Sequence, residues 1–319
     1  FAMALTLVVF ALAKKLYDPL RIVRLAKFLR DENVDVIQSH LSYANILSPV
    51  VGRLAGIPVV STLHTSNYKN QYYRPIIFRT EMAMLRFASS KVVMVARAVS
   101  DTYQPFLGRK EPVVIPNPVY PIHEISVEQR DEVRNQFLPS PDGKLLIAVG
   151  RLTGPKGYGE MIEAFRIAHQ VLPEIRLIIA GKGEEMAKLE RRIGRCGLDG
   201  KVFLLGERSD IQALLRSSDL FLSASYWEGM PISILEAMSA ELPVIATGVG
   251  GVPEILEGRG VMVPQKNPEI MAGEIIALIG NSEKMRRLGM EGRKYVDEHH
   301  SPEKWYADLG SLFKSIIRK

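Results

Sequence analysis

At 319 residues the chain is long for one globular domain and comfortable for two. Apolar residues make up 47% and charged residues 24%, an ordinary globular composition with material for sizeable cores, and the single cysteine, Cys196, excludes a disulfide framework or a cysteine-based metal site within the chain. The net charge of +6 is uneven: residues 1–122 carry 15 Lys and Arg against 7 Asp and Glu, whereas residues 123–319 carry 26 against 28. That asymmetry points to an anionic membrane surface or a lipid phosphate as partner of the first part, and no nucleic-acid-binding motif is present.

Residues 1–13 are strongly apolar and are followed by Lys14 and Lys15. The run is short of the roughly twenty apolar residues a membrane span needs, and its charges follow the apolar stretch, where a signal peptide has them in front. A buried strand running into a helix is expected, with an interfacial anchor as the alternative. The stretch 14–30 places Arg21, Arg24 and Arg30 among Leu20, Ile22, Val23, Leu25, Phe28 and Leu29. It reads as a cationic amphipathic helix whose apolar face is either buried or docked on a membrane surface.

Short β-branched runs then alternate with helical spacing. Strands are expected at 34–38, 59–63, 92–96 and 113–115, with a helix over 44–54 and a long polar segment after residue 63. Pro116, Pro118 and Pro121 break both helix and sheet and mark a domain boundary. After a polar helix over 128–137 the pattern restarts. Strands are expected at 145–149, 175–180, 202–205, 220–224 and 244–247, the last closing the series. Helices are expected at 158–172, 184–196, 211–217 and 232–240, and three terminal helices at 270–279, 283–296 and 302–317. The result is an α/β chain of two Rossmann-like parallel-sheet domains, 1–120 and 121–300, with 301–319 returning toward the first. Ligands of such sheets bind beyond the carboxyl ends of the strands. The loops of interest are therefore 39–40, 63–65, 150–157, 181–183, 206–209, 225–231 and 248–251.

Two of these loops carry most of the chemistry. Gly150-Arg151-Leu152-Thr153-Gly154-Pro155-Lys156-Gly157 follows a strand and opens a helix. Arg151 offers a bidentate fork to phosphate, Lys156 a compact cation, and Gly150 a close backbone approach, all near a helix start that favours anions. A diphosphate is the natural occupant. In Glu228-Gly229-Met230-Pro231-Ile232-Ser233-Ile234-Leu235-Glu236 the first carboxylate lies in a loop and the second inside the next helix. Between them, Gly229, Met230, Pro231 and Ile232 stand at a helix start suited to phosphate or sugar. Glu236 is flanked by apolar residues, and an acidic residue near a bound nucleotide commonly holds ribose hydroxyls.

These segments resemble the donor-site signatures of glycosyltransferase family 4, of the GT-B fold class. Asp35-Val36-Ile37-Gln38-Ser39-His40, Thr62-Leu63-His64-Thr65, Ile115-Pro116-Asn117-Pro118-Val119 and residues 248–254 resemble further family segments, in the family's order and over nearly the whole chain. The resemblance implies two Rossmann-like domains facing a cleft, with the family's first strand and Gly-rich loop missing, so that the first lobe is incomplete and less stable than the second. It implies a retaining, metal-independent hexosyltransferase using a nucleoside diphosphate sugar, UDP-sugar before GDP-sugar, with no further cofactor. The acceptor is a hydroxyl of a glycan or lipid-linked molecule; the single cysteine and the basic first part point to a cytoplasmic setting, peripheral at the inner membrane face. By the same resemblance Arg151 and Lys156 neutralise the diphosphate, Glu228 contacts the transferred sugar, Glu207 and Arg208 lie at the base, and His64 lies near the sugar. Ala96 stands where the family often has Ser. Rival readings are a nucleotide-sugar epimerase, a phosphorylase-type enzyme, and a non-catalytic nucleotide-sugar binder or partner subunit.

Overall fold

The computed structural model describes residues 18–65 and 75–317. The apolar run at 1–13 and the first residues of the basic stretch lie outside them. The described chain forms two compact units, one up to Pro116 together with the residues from Glu303 onward, the other from Asn117 to Pro302. Both are α/β units built on parallel sheets, as the alternation of short buried runs and helices predicts.

The first unit contains α1 (Pro19–Asp31), β1 (Ile37–His40), α2 (Ser42–Ala55), β2 (Val59–Leu63), α3 (Pro75–Phe87), β3 (Lys91–Met94), α4 (Arg97–Leu107) and β4 (Val113–Val114). Its strands lie in the order β1-β2-β3-β4, all parallel. The Asp18 side chain caps α1 by accepting from the Leu20 N–H, and Pro19 occupies the first helical position, where its missing N–H costs nothing. Ala26 and Leu29 of α1 pack on Val51 of α2, so part of its apolar face is buried, while Leu20, Val23 and Phe28 remain exposed. The last helix, α13 (Pro302–Ile316), supplies Leu309 and Leu312 to a core containing Val60, Val93 and Ile115.

The first unit departs from the sequence expectations in two places. The strand expected at 34–38 begins at Ile37 and runs through Ser39 and His40, paired with β2 from Ile37↔Val59 to His40↔Thr62. Polar residues tolerate that buried position because Ser39 Oγ bonds both Asn45 Oδ1 (2.8 Å) and Ser61 Oγ (3.1 Å). In addition, α3 and α4 occupy parts of the chain where no helix was expected. Pro105 falls in the last turn of α4.

The second unit runs α5 (Val127–Phe137), β5 (Lys144–Val149), α6 (Tyr158–Val171), β6 (Ile175–Ala180), α7 (Met186–Arg195), β7 (Val202–Gly206), α8 (Ile211–Ser217), β8 (Leu220–Ser223), α9 (Ile232–Ser239), β9 (Val244–Thr247), α10 (Val252–Leu256), β10 (Val261–Val263), α11 (Pro268–Ile279) and α12 (Ser282–His299). The strand order is β10-β9-β8-β5-β6-β7. The series thus continues beyond β9, where it was expected to close: the three-residue β10 pairs parallel with β9.

The core of this unit is formed by Leu146 and Ala148 of β5, Leu177 and Ile179 of β6, Leu220 and Leu222 of β8, and the facing residues Met161, Ile162 and Phe165 of α6. Fully burying each of the larger side chains is worth roughly 1.5–3 kcal/mol. Both faces of the sheet are covered by helices, which is why its strands read as continuous apolar runs.

At the amino-terminal ends of β5 and β8, Arg134 of α5 bonds Asp219 Oδ2 (2.8 Å) and the carbonyls of Ser217 (3.0 Å) and Gly143 (2.7 Å). This buried pair fixes the end of the sheet away from the ligand-facing loops. The proline-rich segment after Asn117 is held in the same unit by Arg216, whose guanidinium donates to the carbonyls of Ile122 (2.8 Å) and His123 (3.2 Å).

Candidate functional site

In the second unit β5 lies between β6 and β8, so the chain winds away from β5 in both directions. The carboxyl ends of β5 and β8 are the topological switch point, where open parallel sheets of this kind bind ligands. The loop carrying Arg151 and Lys156 leaves β5 there, and the loop carrying Glu228 leaves β8.

Close backbone contact holds these loops together. Gly157 has φ +63°, and a Cβ placed on it would stand 2.1 Å from the Ala224 carbonyl oxygen, so glycine is required on both counts. The Tyr226 N–H donates to the Pro155 carbonyl (2.8 Å). Thr247 Oγ1 donates to the Ser225 carbonyl (2.5 Å), and the Gly251 N–H donates to the Gly229 carbonyl (2.9 Å). Asn117 Nδ2 reaches the Met230 carbonyl (3.4 Å). The Glu228 loop is therefore tied to the ends of β5 and β9 and to the segment that enters the unit.

Within this frame Lys156, the last residue of a short 3₁₀ turn (Gly154–Lys156), donates to Glu228 Oε1 at 2.5 Å. Ser225 Oγ donates to the same oxygen at 2.7 Å. The Glu228 and Lys156 side chains are 11% and 25% exposed, so the pair is only partly screened by water. The Tyr158 hydroxyl lies beside Gly150, 3.0 Å from where a Cβ on that residue would stand. Burial, and then the Glu228 carboxylate, push the Tyr158 phenol up, so it stays protonated. Arg151 is exposed, and its side chain has no hydrogen-bond or ion-pair partner among the described residues.

Gly229, Met230 and Pro231 are buried and Ile232 is exposed at the start of α9. Pro231 has no N–H to offer, so the donors at this helix start are Gly229, Met230, Ile232 and Ser233, and among the described residues none of these four N–H groups bonds a backbone carbonyl. Glu236 is the fifth residue of α9, half-buried among Ile234, Leu235, Ala237 and Met238. Burial pushes its carboxyl up, and its side chain has no hydrogen-bond partner among the described residues.

Three other residues singled out in the sequence are engaged locally. Glu207, just past β7, forms an ion pair with Lys182, with both side chains open to solvent. Arg208 makes a bidentate pair with Asp210, at 2.8 Å and 2.6 Å. His64 belongs to the first unit, just past the end of β2, where its Nε2 lies 2.7 Å from His40 Nδ1. Burial, then the neighbouring His40, push the His64 imidazole down to about 4. The structure thus brings Gly150, Lys156 and Glu228 together, leaves the Arg151 side chain exposed on the same loop, and adds Ser225, Tyr158 and Thr247, which sequence reasoning missed. A signal for Tyr158 existed in its place directly after Gly157, at the first position of a helix.

Among the described residues no helix is long and apolar enough to cross a membrane. Residues 129–295 match the model of the family described as glycosyl transferases group 1, and residues 5–121 match that of glycosyltransferase family 4. The chain is 28% identical over 260 residues to an uncharacterized glycosyltransferase of Methanocaldococcus jannaschii, a match covering 77% of this chain and 62% of the relative. It is 28% identical over 243 residues to the UDP-Gal:alpha-D-GlcNAc-diphosphoundecaprenol alpha-1,3-galactosyltransferase of Escherichia coli, covering 73% of this chain and 63% of the relative. The matches thus span just under two thirds of the length of both relatives. Among solved structures, HepE of Anabaena in complex with UDP superposes with a TM-score of 0.85 at 21% identity, covering 92% of this chain and 82% of HepE. With one family model over its second unit and the other over most of its first, the chain belongs to the group 1 glycosyl transferases, with a family 4 amino-terminal region.

Proposed function

We propose that this chain moves a hexosyl unit from a nucleoside diphosphate sugar to a hydroxyl of a glycan or lipid-linked acceptor, with retention of anomeric configuration and without a metal ion. What supports the reading is that the loop carrying Arg151 and Lys156 leaves β5, and the loop leading to the helix-start amides of α9 leaves β8, both at the switch point, with Glu236 one turn further on. Two cations and N–H groups that bond no backbone carbonyl suit a diphosphate, and a half-buried carboxylate without a partner among the described residues suits ribose hydroxyls. Bond breaking places negative charge on the departing phosphate oxygen, which the cations stabilise. The acceptor oxygen bonds the anomeric carbon on the face the phosphate leaves, and the acceptor proton passes to that phosphate oxygen. In the first unit, the His64 imidazole is neutral near pH 7. The UDP held by HepE and the lipid-diphosphate acceptor in the name of the Escherichia coli relative support a UDP-sugar donor and a lipid-linked acceptor. The exposed Leu20, Val23 and Phe28 beside Arg21, Arg24 and Lys27 support a peripheral membrane location.

Two measurements test this. Purified protein given UDP-hexoses and candidate acceptors should release UDP with a glycosylated product; UDP binding without turnover would leave a binding protein in its place. Glu236→Ala should weaken UDP binding about tenfold or more, at least the worth of one hydrogen bond to a charged group, and leave competition by inorganic pyrophosphate unchanged. Equal loss for both ligands would remove the ribose role.

A further inference from the structure

Lys156 and Glu228 have separate partners in the donor-site reading, the diphosphate and the sugar, yet the structure bonds them to each other. We propose that Glu228 is an internal competitor of the donor diphosphate for Lys156, so that phosphate binding exchanges the partners of both residues and turns the carboxylate toward the sugar. This rests on the donor-site reading above.

Three features support an exchange over a fixed structural pair. The first is that the Glu228 oxygen bonded by Lys156 also accepts from Ser225 Oγ at 2.7 Å. Ser225 is buried and is itself anchored through its carbonyl by Thr247 Oγ1. When Lys156 leaves, Glu228 therefore keeps a hydrogen-bond donor, and the cost of an uncompensated carboxylate is avoided. The second is the difference between the two cations: the exposed Arg151 side chain has no protein partner among the described residues, whereas Lys156 does. Arg151 meets an arriving diphosphate without giving anything up, and Lys156 must release a carboxylate first. The third is chemical: an ammonium on a flexible four-carbon stem moves between neighbouring anions, and a diphosphate outcompetes a single carboxylate by charge and by number of acceptor oxygens.

The consequence is an inverted effect of removing the acid. Glu228→Gln keeps the side-chain shape and an acceptor for Ser225 but no longer holds Lys156 by charge. In calorimetric titration with UDP, Glu228→Gln should bind about three- to tenfold tighter than the wild type, while transfer activity falls. Lys156→Met should bind more weakly. In the Lys156→Met background, adding Glu228→Gln should change UDP affinity by less than about twofold, because the competition then has no object. Glu228→Ala, checked for an unchanged melting temperature, provides a second test of the tightening. Unchanged or weaker UDP binding by both Glu228 variants would overturn the proposal. So would a gain that persists without Lys156, which would show plain repulsion between carboxylate and diphosphate. Failure of the wild type to bind UDP would instead defeat the donor-site reading, so the two failures are distinguishable.

Discussion

Replacing Asp219 with Ala should destabilise the second unit without touching its ligand-facing end. Asp219 Oδ2 accepts from Arg134 Nη1 and from the Leu145 N–H, each at 2.8 Å, and both charged side chains are 10% exposed. Breaking a buried ion pair from one side costs about 3–5 kcal/mol because the remaining charge is left uncompensated. Here Arg134 keeps the Ser217 and Gly143 carbonyls, which lowers that cost. The Leu145 N–H loses its acceptor, which adds about 1–3 kcal/mol. The expected loss is about 3–4 kcal/mol, read as a lower midpoint in urea unfolding followed by circular dichroism. Asp219→Asn retains an acceptor for Leu145 and should lose less. UDP affinity, measured where the variant is still folded, should match the wild type. A loss below about 1 kcal/mol would place the pair with ordinary surface bridges, and a parallel fall in UDP affinity would refute the separation of the two strand ends.

Gly157→Ala should lose about 2–4 kcal/mol, from a left-handed backbone conformation and a clash with the Ala224 carbonyl, and should weaken UDP binding by forcing apart the loops that carry Lys156 and Glu228. Gly56→Ala, also at positive φ but with open space around its added carbon, is the control and should lose only about 1–2 kcal/mol; equal effects at both sites would refute the steric argument. The His64 imidazole is held down to about 4, below its unfolded value of about 6.5. Its neutral form therefore contributes stability above pH ~6.5, and that contribution is lost as pH falls through ~6.5 toward ~4, where the unfolded chain takes up the proton first. Urea midpoints of the wild type should fall more steeply over that range than those of His64→Gln, and parallel slopes would count against it.

The alternation of buried runs with helices was legible because a parallel sheet covered on both faces leaves each strand apolar throughout, as in β5 and β6. Where pairing decides, the sequence was silent. Polar Ser39 is in a strand because Asn45 and Ser61 satisfy it, and β10 exists because β9 offers it an edge. Helices α3 and α4 were not read from the sequence, where only a polar segment was expected after residue 63. The residue types of the candidate site were readable, since glycines, an arginine and a lysine between a strand and a helix carry their chemistry openly. The Lys156–Glu228 bond was not, because it joins residues 72 positions apart that only the adjacency of β5 and β8 brings together.

The route of the chain bears on the order in which the protein can be completed. The second unit is one unbroken stretch, so every strand of its sheet has left the ribosome before α12 is finished. The first unit is made earlier but is closed later. Its core around Val60, Val93 and Ile115 lacks Leu309 and Leu312 until α13 is synthesised, almost two hundred residues after β4. During translation the first unit therefore waits with an apolar sheet face uncovered while the second folds. A stop codon in α13 would then be felt as a defect in the earlier-made of the two units.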